Sequence, residues 1–165
     1  MAPDHVPTGY EASFEPAMRE ALAEAAAAVV AGSASSADVP VGAVILDAAG
    51  TVLARGRNRR EADGDPTAHA EIVAIRAAAQ AIGSWRLDGL TLVVTLEPCT
   101  MCAGAITAAR LSRLVFGAPD PRAGAVGSLW DVVRDQRLIP VPEVVGGVLV
   151  DESLKIIRTF FQERR

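Results

Sequence analysis

The chain has 165 residues, half of them hydrophobic, and a formal net charge of −4. That length suits one domain able to bury a core without disulfides, and no run approaches the roughly 18 apolar residues of a membrane span. The acidic balance argues against a broad phosphate-neutralising surface, and the polar opening residues do not read as a signal peptide, so a cytoplasmic location is expected.

Residues 1–14 hold Pro3 and Pro7 without periodic pattern and read as a flexible tail. From Glu15 an Ala-rich segment, with acids near its start and Pro16 admissible in a first turn, predicts a helix to Ala31 that Gly32 stops. Residues 32–38 read as a loop. Val41–Asp47 and Thr51–Arg57 flank the turn Ala48-Ala49-Gly50 and predict a β-hairpin, with Asn58 at the end of its second strand. Arg59–Asp65 is a polar loop, and Asp65-Pro66-Thr67 opens a second helix running to Ala81 before Gly83. Thr91–Leu96 is continuously apolar, as in a strand buried on both faces, and Pro98 breaks it. Cys99–Ala109 then suits a helix, Leu114–Gly117 a strand, 118–128 a loop and Leu129–Asp135 a short helix. Val144–Leu149 suits a last strand, and Asp151 caps a helix to Gln162. This order predicts a single domain over 15–165 with a three-layer α/β/α fold. Its mixed five-stranded sheet has an antiparallel hairpin and parallel later strands.

Both cysteines and one of the two histidines fall in two short runs, Thr67-Ala68-His69-Ala70-Glu71 and Glu97-Pro98-Cys99-Thr100-Met101-Cys102. One imidazole and two thiolates suit Zn²⁺, and three protein ligands leave a fourth position for water, the pattern of a catalytic site. The only other histidine, His5, lies in the tail. Cys99 and Cys102, three apart, share a helical face, and a first-turn position favours their thiolate forms. His69 and Glu71 would point about 200° apart in a regular helix, so they are placed in an irregular entrance turn, with Glu71 as the proton-transfer group. Glu97 reads as a hydrogen-bonding group behind the ligands. Phe160 and Phe161 cannot share a helical face, so one is expected in the core and the other beside the site or a subunit contact.

The H-x-E and P-C-x-x-C pair matches the pattern of zinc nucleobase deaminases. Together with Val39-Pro40-Val41-Gly42-Ala43-Val44, Gly56-Arg57-Asn58-Arg59 and Val115-Phe116-Gly117-Ala118, it resembles the bacterial tRNA-specific adenosine deaminases, which convert wobble adenosine to inosine. The resemblance covers about Glu15 to Arg165 and implies a cytidine deaminase-like fold. It implies one zinc per subunit on His69, Cys99 and Cys102, with Glu71 as proton shuttle and Asn58 on the purine. It also implies Asp120 and Arg122 on a loop touching nucleotides around the target, an anticodon stem-loop as partner, and a homodimer. The run Arg55, Arg57, Arg59 and Arg60 is then either an RNA-facing patch or a solvated face. Two other functions compete: a deaminase of free bases or nucleotides (cytosine, dCMP or guanine), and a non-catalytic zinc-containing RNA-binding protein.

Overall fold

The computed structural model describes residues 9–30 and 37–164. Its elements in chain order are α1 (Gly9–Ala12), α2 (Glu15–Val30), β1 (Gly42–Leu46), β2 (Val52–Arg57), α3 (Arg60–Asp63), α4 (Ala70–Ile82), β3 (Thr91–Leu96), α5 (Thr100–Ala108), β4 (Arg113–Ala118), β5 (Glu143–Gly146) and α6 (Val150–Gln162). The five strands form one sheet in the order β2-β1-β3-β4-β5. β1 is antiparallel to both β2 and β3, while β3, β4 and β5 run parallel. The mixed five-stranded sheet with helices on both sides is the expected architecture.

Alternation along the strands divides the core. Ala43, Ile45, Leu92, Val94 and Leu114 face α4 and α5, where Ala70, Ala74, Ala78, Ala103 and Ile106 meet them. Val44, Leu46, Val93, Val115 and Val145 face the opposite way, onto Met18 and Ala21 of α2 and onto Val148. The small alanines let the helices lie close to the sheet. No helix among the described residues is long and apolar enough to cross a membrane.

Two reversals of direction position the site. Because β1 is antiparallel to both neighbours, β2 and β3 end at the same edge of the sheet, and β4 ends there too. Asn58, Glu97 and Pro119 follow these three strands directly, so segments distant in sequence converge on one edge.

Several local expectations are corrected. Residues 9–14 are not a loose tail: Gly9–Ala12 is helical, and Phe14 is buried and packs edge-on against Tyr10 at 5.4 Å. The Tyr10 hydroxyl donates to Glu143 at 2.6 Å, an anchor across the sheet that no local pattern reveals. Residues 1–8 and most of the loop 32–38 lie outside the described residues. The Arg59–Asp65 loop contains α3, whose N–H groups on Glu61 and Ala62 donate to buried Asp38 at 2.8 and 3.2 Å. Leu129–Asp135 is not helical; Val126 bridges Asp131, and the Arg134 guanidinium donates to the Val126 carbonyl and to Asp131. The last strand ends at Gly146, since Gly147 and Leu149 take positive φ of 84° and 51°. Leu149, not Asp151, occupies the N-cap of α6.

Candidate active site

His69 is the N-cap of α4, in extended backbone with φ −70° and ψ 154°, so it stands just outside the helix that Ala70 begins. Glu71 lies in the first turn. The step from extended to helical backbone removes the divergence that two residues inside a regular helix would have. Cys99 likewise caps α5, with φ −73° and ψ 175°, while Cys102 lies one turn inside. Each run thus sends one ligand from the entrance of a helix.

The two helix entrances meet. His69 Nδ1 is 3.7 Å from Cys99 Sγ and 3.5 Å from Cys102 Sγ, and the three donor atoms all lie within 4.8 Å of one another. Tetrahedral zinc with bonds of about 2.0 Å to nitrogen and about 2.3 Å to sulfur needs N···S edges of about 3.5 Å. The triangle fits this ion, and among the described residues it is the only cluster of three His, Cys, Asp or Glu groups so arranged. Two thiolates and an imidazole are also the softness zinc prefers.

Their mutual contact shifts the two sulfurs in opposite directions. The thiol of Cys102 hydrogen-bonds to Cys99 and, with help from the His69 ring, lowers the Cys99 pKa to about 3. The same pairing, with burial and the nearby Glu71, pushes Cys102 up. His69 is raised, first by its hydrogen bond with Cys99. Glu71 is only 4 % exposed, and burial raises its pKa against the opposing pull of His69. A buried carboxyl whose acid form is favoured is suited to carrying a proton.

His69, Glu71 and Cys99 line a cavity of about 170 Å³ with Val39, Asn58, Arg60, Leu96, Glu97, Asp120 and Ala123, and Cys102 lies buried behind it. Asn58 Nδ2 donates to the Val39 carbonyl at 3.1 Å, and its Oδ1 accepts from the Arg60 N–H at 3.4 Å. These bonds fix the amide while leaving one N–H and one lone pair for a ligand. Arg122 does not reach this cavity. It lines an adjoining groove with Pro119, Leu154, Phe161 and Arg164, which shares Val39, Leu96 and Asp120 with the cavity. Phe160 is buried, and the neighbouring Phe161 is 48 % exposed at this groove. Of the basic run, Arg55 pairs with Glu20 at 3.0 Å, Arg57 with Glu24 at 3.4 Å and Arg59 with Asp63 at 2.7 Å, while Arg60 lines the cavity. Leu96 and Ala123 escaped the sequence reading because they bear no chemistry of their own. Leu96 closes β3, while Ala123 lies in the loop after β4.

Glu97 is a hydrogen-bonding group, and its partners are on the loop after β4. Its carboxylate accepts from the loop after β4: Val126 N–H at 2.9 Å and Ser128 N–H at 3.0 Å on Oε1, Asp120 N–H at 2.9 Å and the Ser128 hydroxyl on Oε2. Burial raises its pKa, but these donors outweigh that and hold the carboxyl below its ordinary value.

Fold and site together define a zinc-binding enzyme of the hydrolytic deaminase class: an α/β/α sheet, a His-Cys-Cys triangle at two helix entrances and a buried glutamate beside it. Residues 14–118 match the family described as the cytidine and deoxycytidylate deaminase zinc-binding region, and the chain belongs to that family. It is 49% identical over 128 residues to a tRNA-specific adenosine deaminase of Haemophilus influenzae, covering 78% of this chain and 74% of that one. A tRNA-specific adenosine deaminase of Bacillus subtilis is 44% identical over 148 residues, covering 90% and 88%. A solved structure from work on A-to-I editing by tRNA:A34 deaminases at the wobble position superposes with a TM-score of 0.78. It is 45% identical, and the match covers 86% of this chain and 98% of that one.

Proposed function

We propose that this protein deaminates adenosine to inosine at the wobble position of tRNA, a zinc-dependent hydrolysis that consumes water and releases ammonia. The observation that carries this reading is the His69, Cys99 and Cys102 triangle at the edge of a cavity that Glu71 and Asn58 also line. Its likeness to tRNA-specific adenosine deaminases over most of their length supports the choice of substrate.

Zinc, held by the three ligands, supplies activation of water towards proton loss near neutral pH. The remaining work belongs to side chains. Asn58 presents its free N–H and lone pair to the purine edge and orients the ring. Glu71 takes a proton from the attacking water and gives it to ring N1 as oxygen adds to C6. It then carries the second proton to the departing amine, so that ammonia leaves and C6 becomes a carbonyl. Burial keeps the proton on this path and away from bulk solvent. Asp120 at the cavity rim and Arg122 in the adjoining groove contact nucleotides beside the target. The protein works as a homodimer in the cytoplasm; exposed Leu129 and Trp130 form an apolar surface that a second copy would cover.

The deciding experiment is an inosine assay on zinc-loaded protein with an anticodon stem-loop bearing wobble adenosine, beside free adenosine, cytosine, dCMP and guanine. Inosine in the stem-loop alone is expected. Deamination of a free base with the stem-loop untouched would reassign the substrate, and stem-loop binding with no product from any substrate would make this a non-catalytic RNA-binding protein.

A further inference from the structure

We infer that Glu97 is a positioning residue for substrate binding: it clamps the loop carrying Asp120 and Arg122 to the segment that delivers Cys99. The inference rests on the deaminase reading for its kinetic consequence, but not for its structural one.

Four donors converge on a single carboxylate, and three of them are backbone N–H groups that cannot reverse their direction, from Asp120, Val126 and Ser128. Only an acceptor on both oxygens satisfies them. The same strip is stitched by main-chain bonds from Glu97 N–H to the Ala118 carbonyl and from Ala125 N–H to the Pro98 carbonyl, both 2.8 Å, and Cys99 bridges Gly124. Gly124 is part of the fit. A β-carbon there would stand 2.5 Å from both Cδ and Oε2 of Glu97 and 2.6 Å from the Asp120 carbonyl oxygen. The loop can close over the carboxylate only with a glycine at this point. Asp120, Ala123 and Cys99 all line the cavity, so holding this loop against the Cys99 segment fixes that part of its wall. Glu97 itself borders the cavity, but loop donors occupy both of its oxygens, so it acts through the wall it holds.

Glutamine is nearly the same size but turns one acceptor into a donor that faces the Asp120 N–H, losing about one charge-assisted hydrogen bond. Three proteins are compared: wild type, Glu97→Gln and Gly124→Ala, the last forcing the loop off an intact carboxylate. Amide hydrogen exchange, zinc content and stem-loop kinetics are measured on each. The expected result is faster exchange across residues 120–128 in both variants, with zinc near one per chain. KM for the stem-loop should rise about tenfold, the size of that bond, with kcat within about twofold.

Unchanged exchange in Glu97→Gln would overturn the clamp. So would zinc loss, or a fall in kcat at constant KM, which would make Glu97 part of the metal or proton machinery instead. If wild type leaves the stem-loop untouched, the substrate assignment fails, while the exchange data still decide whether Glu97 holds the loop.

Discussion

A β-carbon on Gly56 would stand 2.3 Å from the carbonyl oxygen of Ala70, the first residue of α4, and 2.5 Å from the amide nitrogen of Ala74. β2 and α4 therefore touch backbone to backbone, and this contact sets the height of the helix entrance from which His69 and Glu71 emerge. Gly56→Ala should push α4 outward. We expect a loss of about 1–3 kcal/mol in stability, as for other overpacked contacts, seen as a lower Tm, together with weaker zinc retention on competitive chelation. An unchanged Tm would mean that the sheet yields instead of the helix.

Glu71→Gln keeps the side chain's shape and removes its ability to take up and return a proton. Deamination should fall by about 10²- to 10⁴-fold, with zinc content and stem-loop binding close to wild type. Activity within tenfold of wild type would assign proton transfer to another group.

Removing the metal should abolish activity and leave the fold in place, because the two apolar layers around the sheet contain no ligand other than through the α4 and α5 entrances. Chelation followed by circular dichroism should give a spectrum like that of the loaded protein, and added zinc should restore activity. His69→Ala and Cys99→Ser should both fail to retain the ion. Collapse of the spectrum on chelation would show that the metal is structural as well.

α1 is tied down by titratable groups. Glu143 is held below its ordinary pKa of 4.5, first by the hydroxyl of Tyr10 and then by Arg113, while the bond to Glu143 raises Tyr10 above its ordinary 10.0. A lowered carboxyl contributes stability that is present above the unfolded value and lost as pH falls through the folded one. A raised phenol contributes below pH 10.0 and loses it as pH rises further. Limited proteolysis near residues 9–14 should therefore be slow between these limits and faster below pH 4 or so. Tyr10→Phe should be cleaved faster than wild type at neutral pH and show less acid dependence.

What the sequence made legible follows the range of the forces involved. The sheet, its helices and the metal triangle were readable because apolar periodicity and residue type act locally, and His69, Cys99 and Cys102 carry their chemistry with them. The turn at Leu129–Asp135 was misread as helical because Leu129, Val132 and Val133 have suitable spacing. What decides it is Arg134 reaching back to Val126 and Asp131, together with the nearby loop's attachment to Glu97. The ordering of residues 9–14 depends on Glu143, far along the chain. Glu97 is legible as a hydrogen-bonding group, but its partners, on a loop more than twenty residues later, are not.

Arg55, Arg57 and Arg59 already have carboxylates for company. A nucleic acid lying across this face would have to displace Glu20, Glu24 and Asp63 before gaining those charges, so few condensed counterions would be set free by its arrival. Each phosphate contact on a single strand contributes about −0.7 to the slope of log K against log salt, and the slope here should be correspondingly shallow. Recognition would then rest on how bases fit the cavity and groove, and would persist at ionic strengths that strip a purely charge-driven complex apart.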